Sequence, residues 1–133
     1  MTDLVFFYGT LMSGFKRPGR SRIDTKLSPV GRGWIRAALY DLGIYPAAIP
    51  ASDARVLGEV HRMLDGDAVL SALDEIQGFR PTEPDASLYT RVETTVTFLD
   101  GPTAAVWAYF YNAPLGRADR IESGDYLEHL KMK

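Results

Sequence analysis

The stretch FFYGTL, Phe6–Leu11, is the part of the sequence that most constrains the fold. It closes a run of large apolar residues, Leu4 to Tyr8, which predicts a buried first strand. Gly9 is expected to end that strand, because glycine reaches positive φ without steric cost and lets another group approach the backbone closely. The stretch therefore predicts either a tight turn or a binding loop directly after the first strand.

The composition indicates a small globular protein. A chain of 133 residues suits one domain, residues 1–133, that is long enough to bury a hydrophobic core. It has no cysteine and only two histidines, so we expect no disulfide and no metal centre. Neither G-x-G-x-x-G nor G-x-x-x-x-G-K-[ST] occurs, and we expect no nucleotide and no cofactor. The net charge of −2 offers no basic footprint for nucleic acid, and no stretch resembles a signal peptide or a membrane span. We therefore expect a soluble, cytoplasmic protein that binds neither nucleic acid nor membrane.

Strand patterns outnumber helix patterns along the chain. Alternating or continuous apolar runs predict strands at 4–8, 34–41, 45–49, 55–63, 89–99 and 103–112. The last two are joined by Asp100-Gly101-Pro102, a plausible hairpin turn, whereas Pro46 and Pro50 restrict their segment to an edge or a bend. Because strands and helices do not alternate regularly, we predict an α+β domain with a curled sheet or a small barrel.

One segment has a clear helical pattern. Residues 65–76 carry an apolar stripe, with Asp65 or Asp67 as the N-cap and Gly78 as the stop. A weaker amphipathic pattern within 120–130 predicts a second helix near the C-terminus.

Two polar features have both a functional and a simpler interpretation. Glu59 and His61 lie two residues apart on a predicted strand, so they could form a pair on one face, or they could simply be the polar side of that strand. The basic loop, which holds Lys16, Arg17, Arg20 and Arg22, could attract a carboxylate or phosphate, or it could be an ordinary solvated loop.

The order of five segments along the chain carries more information than any single residue. FFYGTL, YDLGIYPAAI followed by LGEV, LDEIQGF, LYTRVE and IESGDYL together resemble the γ-glutamylcyclotransferase-like superfamily, which includes the AIG2-like proteins. The resemblance runs from Phe6 to about Leu127, and Tyr8-Gly9-Thr10-Leu11 and the LDxxxG-to-YxR spacing are its most specific elements. It implies a small mixed α/β barrel of five or six strands, and an activity that converts a γ-glutamyl amine or peptide to 5-oxoproline plus the free amine.

The resemblance also implies roles for particular residues. Gly9, Thr10 and Leu11 would present backbone N–H groups to the substrate's carbonyl or carboxylate oxygens, since charge develops on the carbonyl as the ring closes. Tyr8 would shape the wall of the cavity, and Tyr89 would line it and orient the substrate.

The sequence departs from the family at the proton acceptor. Active members carry a glutamate directly before the glycine that ends the helix, and the matching residue here is Gln77, which cannot accept a proton at neutral pH. On a helical wheel Gln77 falls within the apolar stripe, whereas Glu75 points to solvent and Asp74 to the flank. Two hypotheses follow: an enzyme with a substitute base, or a binding or regulatory module for a small γ-glutamyl or amino-acid-like ligand. The candidate substitute bases are Glu83, Glu59 and, more weakly, Glu93.

Overall fold

A computed structural model of the protein describes residues 2–15 and 17–132. Within these ranges the chain forms six strands and two α-helices, together with three short 3-10 turns. In chain order they are β1 (Leu4–Phe7), β2 (Leu27–Asp41), β3 (Pro46–Met63), α1 (Gly66–Gln77), β4 (Tyr89–Phe98), β5 (Thr103–Tyr111), β6 (Asp119–Arg120) and α2 (Tyr126–Lys131).

The first five strands close into a barrel. Their order is β3-β1-β5-β4-β2, and β2 pairs again with β3 to complete the ring. Strand β1 runs parallel to β5, whereas the other pairs in the ring are antiparallel, so the barrel is mixed. The short strand β6 extends the sheet beyond β2. The structure confirms the predicted α+β class and the mixed barrel of five to six strands.

Strand β2 is longer than the sequence predicted. It was expected to begin at Trp34 but begins at Leu27, and its first half pairs with the end of β3 as far as Met63. The first half of β2 contains Pro29 and Gly31, and both residue types are typical of turns, so the sequence pattern there does not predict a strand. The hydrogen bonds that keep it extended come from a partner some thirty residues away, which a local pattern does not report.

Strand β3 joins two pieces that the sequence predicted separately, 45–49 and 55–63. A bulge connects them, since Ala37 of β2 pairs with Pro50 while the residue before Ala37 pairs with Arg55. The bulge lets one strand bend around the barrel, which is how prolines are accommodated in a long strand.

Helix α1 confirms the predicted helix. Asp65 is the N-cap and accepts a hydrogen bond from the N–H of Ala68 at 3.3 Å. Gly78 follows the last turn with φ of 67°, where its N–H returns to the carbonyls of residues 74 and 75. The apolar stripe faces the core, where Val69 and Leu73 are fully buried.

The C-terminal segment differs from the prediction of one helix within 120–130. Residues 119–120 pair with β2 as β6, and α2 begins only at Tyr126, after its N-cap Asp125. Gly124 fixes this start, because a Cβ there would lie 1.8 Å from the carbonyl oxygen of Arg55. Neither described helix has the length and apolarity needed to cross a membrane.

Candidate functional site

The YGTL loop, Tyr8 to Leu11, leaves the sheet at the end of β1 and turns sharply, with the N–H of Met12 donating to the carbonyl of Gly9 at 3.0 Å. The expectation that Gly9 needs positive φ is wrong, since its φ does not lie in that range. Close packing requires the glycine instead. A Cβ at this position would lie 2.7 Å from Cγ of Pro46 on β3.

The backbone of this loop keeps hydrogen-bond donors available. Within residues 2–15 and 17–132, no group accepts a hydrogen bond from the N–H of Gly9, Thr10 or Leu11. Buried amide groups normally have partners, so three consecutive free donors beside a pocket are suited to an anionic or carbonyl oxygen of a ligand.

A small pocket lies between this loop and the end of α1. Its cavity volume is about 20 Å³, and the space reaches about 340 Å³ only when the mouth that opens to solvent is counted. The pocket is lined by every residue that the sequence predicted as a ligand contact: Tyr8, Gly9, Thr10, Leu11 and Tyr89. Gln77 lines it as well. Their roles toward a ligand stay predictions.

Three buried tyrosines line the pocket: Tyr8, Tyr89 and Tyr109. Tyr8 donates to the carbonyl of Tyr109 at 2.7 Å and accepts from the N–H of Ala48 at 3.3 Å, while Tyr89 donates to the carbonyl of Pro46 at 3.1 Å. Burial raises the pKa of Tyr8, Tyr89 and Tyr109 well above that of an exposed phenol. These phenols are therefore neutral, and none of them supplies a phenolate as a base.

Arg17 is the described arginine of the basic loop that lines the pocket. Its guanidinium donates to Oγ1 of Thr10 at 2.7 Å and to the carbonyl of Ile76 at 3.4 Å, and it lies 5.5 Å from the ring centre of Tyr45. The other described arginines of the loop do not line the pocket: Arg20 pairs with Asp24 and donates to the carbonyl of Leu11 at 3.0 Å, and Arg22 pairs with Glu75. Lys16 lies outside the described residues.

Gln77 is half-buried at the last turn of α1 and lines the pocket, as the helical wheel predicted. Among the described residues that line the pocket there is no aspartate or glutamate. Position 77, which the resemblance matched to a catalytic glutamate, therefore carries a neutral amide, and no carboxylate of the described residues lines the pocket beside it.

The substitute bases that the sequence offered lie away from the pocket lining. Glu83 is exposed in the segment after α1, and Glu93 is exposed on β4. Glu59 accepts hydrogen bonds from the N–H of Ser13 at 2.9 Å and from Nε2 of His61 at 3.0 Å, so the two strand residues do form a pair. Burial acts to raise the pKa of Glu59, but the hydrogen bonds from His61 and Ser13 outweigh it and hold the pKa below its ordinary value. This makes Glu59 a weaker base than a free glutamate.

One buried network beside the pocket was missed by the sequence analysis. Asp74 was expected on the flank of α1, yet it is only 9% exposed and accepts hydrogen bonds from Nε and Nη2 of Arg91 at 3.0 and 3.3 Å. It also accepts the hydroxyl proton of Tyr109 at 2.6 Å. The wheel was misleading because it describes the helix alone, and Arg91 and Tyr109 come from β4 and β5. The LDxxxG-to-YxR spacing was the signal that could have found this pair.

A family model described as "Gamma-glutamyl cyclotransferase, AIG2-like" matches residues 5–128. The chain belongs to this family. The γ-glutamylcyclotransferase family protein YtfP of Escherichia coli K12 is 31% identical over 128 residues, which cover 96% of this chain and 98% of that protein.

Two solved structures are similar to this chain. The solution structure of ytfP from Escherichia coli is similar with a TM-score of 0.66 and 30% identity, covering 95% of this chain and 97% of that one. YkqA from Bacillus subtilis has the same fold with a TM-score of 0.72 at 21% identity, covering 99% of this chain, which spans 42% of that protein. In this AIG2-like protein the YGTL loop and the LDxxxG segment meet across one pocket.

Proposed function

We propose that this AIG2-like protein binds a small γ-glutamyl or amino-acid-like carboxylate in the pocket between the YGTL loop and α1, with little cyclotransferase turnover. One observation carries the proposal: the pocket combines three backbone N–H groups that donate to no described group and the guanidinium of Arg17 with a lining that, among the residues described, holds no carboxylate. Such a site has what is needed to hold an anion and lacks what is needed to remove a proton.

The family's reaction makes the consequence clear. The substrate's α-amine attacks its own γ-carbonyl carbon, a new C–N bond closes the ring, and the bond to the leaving amine breaks. The α-ammonium must lose one proton before it can attack and a second as the lactam N–H forms, and both protons leave with the released amine, which departs as an ammonium. Positioning and N–H donors can be supplied by the YGTL loop. A missing general base costs on the order of 10² to 10⁴ in rate.

A second candidate function is the cyclotransferase reaction itself, and one observation favours it. Tyr109 lines the pocket, and its hydroxyl donates a hydrogen bond to Asp74 at 2.6 Å. The phenol oxygen could therefore accept a proton from the substrate while the hydroxyl proton of Tyr109 passes to the carboxylate of Asp74. Asp74 is also held in an ion pair with Arg91, so its carboxylate is already engaged by two side chains of the protein and does not itself line the pocket. This is why binding is the first candidate.

The two candidates are separated by measuring 5-oxoproline release from a panel of γ-glutamyl amino acids and γ-glutamyl amines. We expect little release by the natural protein and a gain of about 100-fold in Gln77→Glu, since a base then faces the YGTL loop. Glu83→Gln is the matched control, because it removes an exposed carboxylate from the segment that follows α1. It should leave 5-oxoproline release unchanged, both in the natural protein and in the Gln77→Glu background.

Robust release by the natural protein would overturn the first candidate. If that release were lost in Asp74→Asn at unchanged substrate affinity, the second candidate would be supported, whereas its loss in Glu83→Gln would instead support the loop carboxylate. Binding is checked by NMR titration with the same panel, and shifts at the amides of residues 9–11 are expected.

A further inference from the structure

We infer that the pocket selects small carboxylates whose nitrogen is uncharged, such as a lactam or an N-acyl amino acid, over carboxylates that carry an ammonium group. This inference rests on the proposed function, since it requires that the pocket bind a carboxylate at all. Within the proposed ligand class, it predicts that γ-glutamyl compounds with a free α-ammonium bind more weakly than their lactam or N-acyl relatives. It narrows the ligand class by charge and hydrogen-bonding chemistry, and it concerns Arg17 and Gln77 of this chain.

The charge of the pocket lining is the first argument. Arg17 brings one positive charge, and its contacts are with the neutral partners Thr10, Ile76 and Tyr45. It forms no ion pair with any residue in the described ranges, whereas Arg20, Arg22 and other arginines of this chain do. A half-buried guanidinium without a counter-charge attracts a carboxylate and repels an ammonium group in the same small pocket.

The acceptors around the pocket are the second argument. An ammonium group needs two or three acceptors, preferably charged ones. Three of the backbone carbonyls of residues that line the pocket already accept hydrogen bonds from side chains of the protein: that of Leu11 from Arg20, that of Pro46 from Tyr89, and that of Tyr109 from Tyr8. The N–H groups of the YGTL loop, by contrast, are free donors.

The third argument is the chemistry of Gln77. A side-chain amide donates through its nitrogen and accepts through its oxygen, so it is complementary to a second neutral amide. A lactam or N-acyl group presents one N–H and one carbonyl in the same way. A glutamate at position 77 would instead favour the ammonium form of the ligand, by supplying the counter-charge that the pocket now lacks.

Calorimetric or NMR titrations with two matched ligand pairs test the inference. The first pair is 5-oxoproline and proline. Both have a five-membered ring and a carboxylate, but the ring nitrogen is a neutral lactam in 5-oxoproline and a charged ammonium in proline. The second pair is N-acetylglutamine against glutamine. We expect the uncharged-nitrogen member of each pair to bind at least about tenfold more tightly, because it avoids the like charge of Arg17.

Variants assign the preference to the two residues. Arg17→Gln should weaken 5-oxoproline binding by about tenfold or more, and Gln77→Glu should reduce or reverse the preference within each pair. Arg22→Gln is the matched control, because Arg22 belongs to the same loop but pairs with Glu75 away from the pocket, and it should change nothing.

The outcomes distinguish this inference from the proposed function. Equal or tighter binding of proline and glutamine overturns the inference while leaving carboxylate binding in place. If no carboxylate of either class binds, the proposed function itself is wrong. An unchanged preference in both Arg17→Gln and Gln77→Glu would also refute the inference, since the selection would then arise elsewhere.

Discussion

Replacing Asp74 by alanine should be among the most destabilising single changes on α1. Its carboxylate accepts three hydrogen bonds, two from Arg91 and one from Tyr109, and all three donors lie on strands. Arg91 cannot easily turn to solvent, because its guanidinium lies 4.8 Å from the ring centre of Trp107 and 5.8 Å from that of Phe79. The variant therefore leaves a largely buried cation without a partner.

The expected loss follows from these contacts. Removing one partner of a buried ion pair costs about 3 to 5 kcal/mol, and we expect the lower end because the Arg91 side chain remains 19% exposed. For a domain of this size, about 3 kcal/mol lowers Tm by roughly 12 °C. Urea denaturation at neutral pH and a thermal melt measure the two quantities independently.

Glu75→Ala is the matched control, because Glu75 is the next residue of α1 and its ion pair with Arg22 is exposed on both sides. Its cost should stay below about 1 kcal/mol. A double-mutant cycle with Tyr109→Phe should reveal coupling, since both variants remove the same hydrogen bond. A loss in Asp74→Ala no larger than in the control would refute the view that this network holds α1 on the barrel.

Three further predictions concern other parts of the molecule. Gly9→Ala should destabilise by about 1 to 3 kcal/mol and weaken ligand binding, because the new Cβ meets the ring of Pro46; unchanged melting and binding would contradict this. Glu59→Gln should lower the free energy of unfolding at pH 7, because the folded-state pKa of Glu59 lies below its unfolded value of 4.5. The stabilisation by Glu59 is present above that value and is lost as pH falls through the folded-state pKa. The difference in free energy of unfolding between Glu59→Gln and the natural protein, measured by urea denaturation, should therefore shrink in acid. A difference that grows in acid would contradict the prediction. Asp125→Ala should cost about 0.5 to 2 kcal/mol by removing the N-cap of α2, which hydrogen exchange at the amides of 127 and 128 can report; unchanged exchange there would show that the cap contributes little.

The elements with strong local signals were predictable. Asp65, the apolar stripe and Gly78 mark both ends and the buried face of α1, because capping and helical periodicity depend on residues within a few positions. The hairpin of β4 and β5 was equally visible around Gly101, whose φ of 113° suits glycine. In contrast, the first half of β2 and the bulge in β3 depend on pairing between distant residues, so their sequences look like loops.

The candidate site divides in the same way. The contact residues of the YGTL loop and Gln77 could be named from the chain, because a resemblance in motif order carries them and a helical wheel turns Gln77 inward. The reason why position 9 requires glycine could not be predicted from the sequence, since Pro46 comes close to Gly9 only after β1 and β3 pair. Nor could the sequence separate Arg17 from the other basic residues of its loop, because they differ only in which partner each one reaches.

The sequence by itself therefore determined the family, the barrel class and the neutral residue at position 77, since these depend on residue identity and order. Only the tertiary structure decided that Arg17 lines the pocket and forms no ion pair with a described residue. It also decided that Asp74 is buried under the pocket residue Tyr109, and that Glu59 and Glu83 do not line the pocket. Charge and burial are properties of the folded neighbourhood, where groups from α1, the barrel strands and the YGTL loop come within hydrogen-bonding distance of one another.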